Sequence, residues 1–395
     1  MTKLPFLQFS TPDIGEEEIG EVVETLRSGW LTTGEKTARF ERNFAAYTGA
    51  RHAQAVNSCT AGLHLALAAL GIGPGDEVIT TPLTFCSTVN VILAVGAKPV
   101  LADIGPDLNI SPESIIAAIT PRTRAIIPVH FGGLPCDMKS IWAIARERKL
   151  FVVEDAAHAA GALYTNRPIG SGTSDAVAFS FYATKNLCTG EGGMVTTPSA
   201  ELADRMRVLC LHGISRDAWA RYSEKGSWYY EVTACGFKYN MSDIMAAIGL
   251  AQLKKLEEMT ARRIAIAHRY NQALANIPQV ELPPDSPQSR HCWHLYALRL
   301  NLEELTIDRA QFFDEMRERG IGCSVHFIPI PLHPFYRETL SFPDPCTHAL
   351  SEYPRLISIP LYSRMSDAEM DRVILAVRDV SARFGRRKQF AAGAS

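Results

Sequence analysis

Between residues 50 and 200 the chain alternates short β-branched runs with longer helical ones, joined at glycine or proline turns, and few folds accept that rhythm. AQAV, EVIT, KPVLADI, RAIIPVH, LFVVED, AVAFSF and GMVTT read as strands; TAGLHLALAAL, the stretch after Phe85 and CDMKSIWAIARERK read as helices. Together they predict an α/β fold, a mostly parallel sheet with helices on both faces. Such sheets gather ligands at the carboxyl ends of their strands.

After about residue 214 the rhythm changes. ISRDAWARYSEKGSWYYE is rich in aromatics and charges, lacks periodicity and reads as a long functional loop. A long helix is expected from Met241, with Ile244, Ile248, Ala251 and Leu256 marking its apolar face. Beyond Pro283 a second unit begins, in which HCWHLYALRL partly alternates, RAQFFDEMRERG is helical and IGCSVHF is strand-like. The expected organisation is a large domain over 1–260, opening with N-terminal helices, and a small C-terminal domain over 261–384. A flexible tail over 385–395 follows, whose Arg386, Arg387 and Lys388 serve solubility.

Forty Lys plus Arg against 42 Asp plus Glu leave no strong field, which argues against nucleic acid or an anionic membrane as main partner. A small-molecule ligand is expected instead. The nine cysteines are scattered without a CxxC pair, so neither a disulfide framework nor a metal site is indicated. The N-terminus is a poor signal peptide, and no apolar run reaches the roughly 20 residues of a membrane span. These features fit a soluble cytoplasmic protein.

Within FSFYATKNLCTGEGGM, Lys185 is the only cation and Glu191 the only anion, which suggests a lysine held inside. Asp155 ends LFVVED, at the edge where a parallel sheet presents its ligand, and Lys185 follows the next strand of that sheet. Neither GxxxxGK[ST] nor a strand-following GxGxxG is present, so nucleotide hydrolysis and hydride transfer lose ground. A Schiff-base lysine with a carboxylate facing a pyridinium nitrogen is the pyridoxal phosphate (PLP) arrangement. An opposite charge within about 4–6 Å shifts a pKa by roughly 1–3 units, enough to keep that nitrogen protonated and the ring an electron sink.

VEDAAHAAGA and SFYATKNLCTGEGG, with GWLTTG at 29–34, NSCTAGLHLAL at 57–67, GDEVITTPLTF at 75–85 and GFKYNMSDIMAAIGLAQL at 236–253, cover nearly the whole chain in order. In these motifs the sequence resembles the DegT/DnrJ/EryC1/StrS family of PLP-dependent nucleotide-sugar aminotransferases, within fold type I, and among its members most the one that makes UDP-4-amino-4-deoxy-L-arabinose. The resemblance implies that Lys185 binds the cofactor as a Schiff base and then shuttles a proton, and that Asp155 faces the ring nitrogen. It implies His158 near the ring oxygen and Phe85 stacked on the ring face. The phosphate would lie at the helix start of Ser58, Cys59 and Thr60, with Ser180 and with Asn240 of the partner subunit; Gly192 and Gly193 would permit close backbone approach. Ser58 and Thr60 read equally well as helix N-caps, and Asn240 as a helix cap.

For the substrate, Trp219, Arg221, Lys238 and His326 are candidates to meet a pyrophosphate. The expected activity moves an amino group from glutamate, released as 2-oxoglutarate, to C4 of a UDP- or dTDP-linked 4-ketosugar, through pyridoxamine phosphate (PMP). The expected assembly is a homodimer with shared sites, and the expected product serves a surface polysaccharide, lipopolysaccharide or natural product. Rival readings are a C3 aminotransferase, a sugar dehydratase on the same fold and a non-catalytic regulatory protein. Some such dehydratases replace the lysine by histidine and others need an iron–sulfur cluster. Here Lys185 is present and the cysteines lack cluster spacing.

Overall fold

The computed structural model describes residues 5–214, 229–342 and 344–386. All seven runs read as strands form, and all enter one sheet. They are β1 (His52–Val56), β2 (Glu77–Thr80), β3 (Lys98–Leu101), β4 (Thr123–Ile127), β5 (Phe151–Asp155), β8 (Ala176–Ser180) and β9 (Gly193–Thr197), with a small hairpin of β6 (Leu163–Tyr164) and β7 (Arg167–Pro168) between β5 and β8. The sheet order is β1-β9-β8-β5-β4-β2-β3. β9 runs antiparallel to both its neighbours, and the remaining pairs are parallel.

β2, β8 and β9 are buried at every position, as strands covered on both faces should be. On one face lie helices Glu35–Thr48, Met138–Arg148 and Asp243–Lys254, whose core includes Phe40, Phe44, Phe179 and Phe181. Phe44 meets Phe179 edge-on at 5.0 Å and Phe181 at 5.5 Å, because residues two apart on one extended strand share a face. On the other face Leu63 and Leu67 of helix Cys59–Ala69 pack with Val195 and Met206. A separate core gathers β10 (Val280–Glu281), β12 (Tyr296–Leu300) and β13 (Leu356–Ile359) against helices Leu256–Leu274, Arg309–Glu318 and Asp367–Phe384. β11 (Ser289–Arg290) joins the β6–β7 hairpin instead.

Four sequence expectations are corrected. The helix expected from Met241 starts at Asp243 under a Ser242 cap, and Lys255 breaks it before Leu256–Leu274. Ala246, Ala247, Leu250 and Ala251 form its buried face, while Ile244 and Ile248 are half-buried. IGCSVHF is not a strand: Leu7 bridges Ile321 and Ser324 bridges Ser358, and Pro329, which has no N–H, follows soon after. The tail begins later than expected, since Gly385 bridges Leu305 and Arg386 donates from its backbone to Glu304 and from Nε to Leu305. Arg386 is therefore a strut rather than a solubilising charge. Arg387 and Lys388 lie outside the described residues. No helix among the described residues is long and apolar enough to cross a membrane.

Candidate active site

The carboxyl edge of the sheet carries the acid. Asp155 ends β5 and is 4% exposed, with Oδ2 accepting from the Thr88 hydroxyl at 2.8 Å and Oδ1 from the Ala157 amide at 3.1 Å. The Cys59 thiol lies 3.9 Å from Oδ1. Burial pushes the Asp155 carboxyl above its ordinary pKa, while Thr88, Ala157 and Lys185 pull it back. A carboxylate so placed gains from a cationic partner that replaces its lost water.

Lys185 stands on a loop pinned at its base by a Tyr182–Gly190 bridge and turned by a hydrogen bond from its own amide to the Tyr182 carbonyl at 2.9 Å. Next to it Asn186 is buried, donating to the carbonyls of Ala160 and Cys292. The lysine is thus aimed by its neighbour. Burial lowers its pKa to about 8, against the opposing pull of Cys59 and Asp155. Lys185 and Asp155 attract each other, yet no ion pair joins them. Glu191 is exposed on the same loop.

Helix Cys59–Ala69 points its N-terminus at this edge. Ser58 is its N-cap, its hydroxyl accepting from the Ala61 amide at 3.1 Å, and the first-turn amides of Cys59 and Thr60 have no partner inside the helix. The Thr60 side chain is exposed, whereas Cys59 turns its thiol inward. At Gly193 a methyl group would lie 2.8 Å from the Cys59 nitrogen and 2.7 Å from the Phe179 carbonyl oxygen, so glycine lets β9 press backbone to backbone against the helix start. Gly192 has φ +152°, and a methyl there would meet the Thr189 hydroxyl at 2.3 Å. Ser180, at the end of β8, is buried with its hydroxyl accepting from the Tyr182 amide at 3.4 Å. An anion is well served by such a helix start.

Two sides of the site are aromatic. Phe85 is 59% exposed, although its ring is apolar, and it stands 6.0 Å from Phe327. Phe327 in turn stacks on His158 at 5.7 Å. The Gly132 amide donates to His158 Nδ1 at 3.3 Å, which puts the ring proton on Nε2. Burial holds His158 neutral, with Lys185 and His326 pushing the same way. His326 bonds through Nδ1 to the Ser358 hydroxyl at 2.9 Å, and burial brings its pKa down to about 4. His294 lies 4.4 Å from His158 and bonds Asn186.

Asp155, Cys59, His158 and His326 are each within electrostatic reach of Lys185, and Phe85 stands beside His158 through Phe327. Asn240 bridges Val56 of its own chain, while its side chain engages Lys238 and donates to the Thr33 hydroxyl at 2.7 Å. Lys238 is exposed. Trp219 and Arg221 lie outside the described residues. Sequence reasoning missed Thr88, Asn186, His294 and Phe327. Thr88 alone left a trace, as the second threonine of TFCST four residues after Thr84. Among the described residues no group of three metal-ligating side chains converges.

A buried carboxylate at a strand end, a desolvated lysine, an exposed aromatic and an anion-ready helix start fit PLP. Sheet and site together define a fold type I PLP-dependent transferase. A family model, the DegT/DnrJ/EryC1/StrS aminotransferase family, matches residues 12–378. The chain belongs to that family, and it is a PLP-dependent aminotransferase. It is 55% identical over 378 residues to the spore coat polysaccharide biosynthesis protein SpsC of Bacillus subtilis, covering 95% of this chain and 97% of the relative. A Streptococcus pneumoniae protein solved in a PLP form superposes with a TM-score of 0.89 at 34% identity, covering 96% of this chain and 99% of the other. PseC of Helicobacter pylori, an aminotransferase involved in the biosynthesis of pseudoaminic acid, gives 0.89 at 28%, covering 96% and 100%.

Proposed function

We propose that the protein transfers an amino group from glutamate to C4 of a nucleotide-linked 4-ketosugar in the making of a cell-surface polysaccharide. The observation that carries the reading is the pairing of Asp155 and Lys185 at one sheet edge, two charges that attract without joining. The 55% identity to a spore coat polysaccharide protein supports the pathway class, and the likeness to PseC supports a sugar substrate.

When bound, the cofactor supplies an electron-withdrawing ring and a carbonyl carbon that takes up and returns the amino group. Asp155 would face the ring nitrogen and favour its protonated form. Lys185 would hold the cofactor through Nζ and, when free, could serve as the acid–base group beside the reacting carbon, a task suited to an amine whose pKa lies near 8. His158, whose proton sits on Nε2, would offer it to the ring oxygen. Phe85 would cover one ring face and exclude water. The Cys59 and Thr60 amides with Ser180 would hold the phosphate, and Lys238 and His326 would meet the sugar nucleotide. Incubating the purified enzyme with glutamate and a panel of UDP- and dTDP-ketosugars, with mass and NMR analysis, should yield one 4-aminosugar and 2-oxoglutarate. A C3-aminated or dehydrated product, or none from any ketosugar, overturns the reading.

The reading includes a homodimer in which Asn240 of the partner subunit completes the phosphate site. An apolar groove beside the Lys185 loop, lined by Pro12, Ile14, Ile19, Val22, Ala183 and Ile248, supports a partner on that side. Each site would then be composite. Mixing Lys185→Ala with a binding-defective Asn240→Asp protein should restore up to about half a normal dimer's activity per heterodimer, because one of two equivalent sites collects both lesions. A demonstrated heterodimer that stays inactive overturns the shared site.

A further inference from the structure

Asp155 is buried, and its two oxygens must be served by something other than water. Oδ1 takes the Ala157 amide, with the Cys59 thiol at 3.9 Å. Oδ2 takes the Thr88 hydroxyl, and Thr88 lies 2.9 Å from the Thr84 hydroxyl. Both threonines are within 2% of complete burial. A hydroxyl has one proton, so a Thr88 that donates to the carboxylate accepts from Thr84, and the chain runs in one direction from Thr84 to Thr88 to Asp155. The two threonines sit four residues apart: Thr84 shares with Phe85 the turn that leads into helix Ser87–Ala94, and Thr88 stands in that helix's first turn.

We propose that Thr88 is a positioning residue for the aminotransferase reaction, its hydroxyl, oriented by Thr84, holding the Asp155 carboxylate ionised and aimed at the cofactor's ring nitrogen. A carboxylate that lost this donor in a dry site would keep the shared proton for itself, and the ring would lose its positive charge. The same short turn presents Phe85 at the ring face, so one segment fixes both the plane of the ring and the direction of its acid. The inference rests on Asp155 facing the ring nitrogen.

The test compares Thr88→Val, which keeps the shape and removes the hydroxyl, with Thr88→Ser, which restores it. With cofactor bound, the pH at which the lysine Schiff base loses its proton is read from the visible spectrum. A protonated ring withdraws electrons and lowers that pH, so Thr88→Val should shift it upward and Thr88→Ser should return it to the wild-type value. Thr88→Val should also lower kcat by roughly 10- to 100-fold, the loss expected for a hydrogen bond to a charged group, with KM little changed. Thr84→Val should do the same more weakly, and it serves as the second variant if Thr88→Val does not fold. An unshifted spectrum in the valine variants, or a serine variant as impaired as the valine one, overturns the inference. If instead borohydride fails to fix the cofactor to Lys185 in the wild-type protein, the functional reading falls, and this inference with it.

Discussion

Lys185→Ala should fold normally and be catalytically dead, with turnover reduced by roughly 10⁴- to 10⁶-fold, the range seen when a covalent catalytic group is removed. Among the described residues Lys185 forms no ion pair, so its truncation removes chemistry rather than support. Borohydride should fix the cofactor to the wild-type peptide that contains Lys185 and to no peptide of the variant. A pH dependence accompanies this. The neutral amine is the nucleophile, and burial brings the Lys185 pKa from 10.5 to about 8. In cofactor-free protein the rate of PLP capture should therefore climb with pH through about 8, whereas an unperturbed lysine would give a midpoint more than two units higher. A midpoint near 10.5 contradicts the desolvated setting of the loop.

Asp155→Asn should retain shape and lose about 100- to 10,000-fold in both half-reactions, followed by single turnover with glutamate and then with ketosugar. The amide oxygen can still accept from the Ala157 amide, while its NH2 faces the Thr88 hydroxyl, which then accepts there and donates to Thr84, but the amide cannot hold a proton on the ring. Thermal stability of the cofactor-free protein should not fall. Burial raises the Asp155 pKa, so above its unfolded value the buried charge opposes folding, and replacing it by a neutral group removes that penalty at neutral pH. Near-normal turnover in the variant, or a loss explained by unfolding, contradicts the assignment of Asp155.

The sheet was legible because its seven strands are short and mostly β-branched, and helices separate the strands from β1 to β5. Asp155 and Lys185 were legible for a related reason, since each follows directly from a strand end that the topology sends to the same edge. What the sequence hid was contact made across long separations. Phe327 reaches His158 from 169 residues away, the difference of their positions, and His294 reaches Asn186 over 108. IGCSVHF misled because its alternation is real, yet it makes only two single bridges, Ile321 to Leu7 and Ser324 to Ser358, and no ladder. Ile244 and Ile248 misled in another way. Their spacing is that of a buried helix face, while the single chain buries the small residues beside them and leaves the isoleucines half-open.

The division of the site between two cores bears on how such enzymes diverge. Asp155, Lys185 and the Ser58 helix hang from strands of one sheet, whereas His326 and Phe327 arrive from a segment bonded to β13, in the other core. Substitutions around β13 would shift His326 and Phe327 while leaving Asp155, Lys185 and the Ser58 helix on their own sheet. If His326 meets the sugar nucleotide as proposed, a duplicated gene could change the sugar it accepts without disturbing the groups that move the proton.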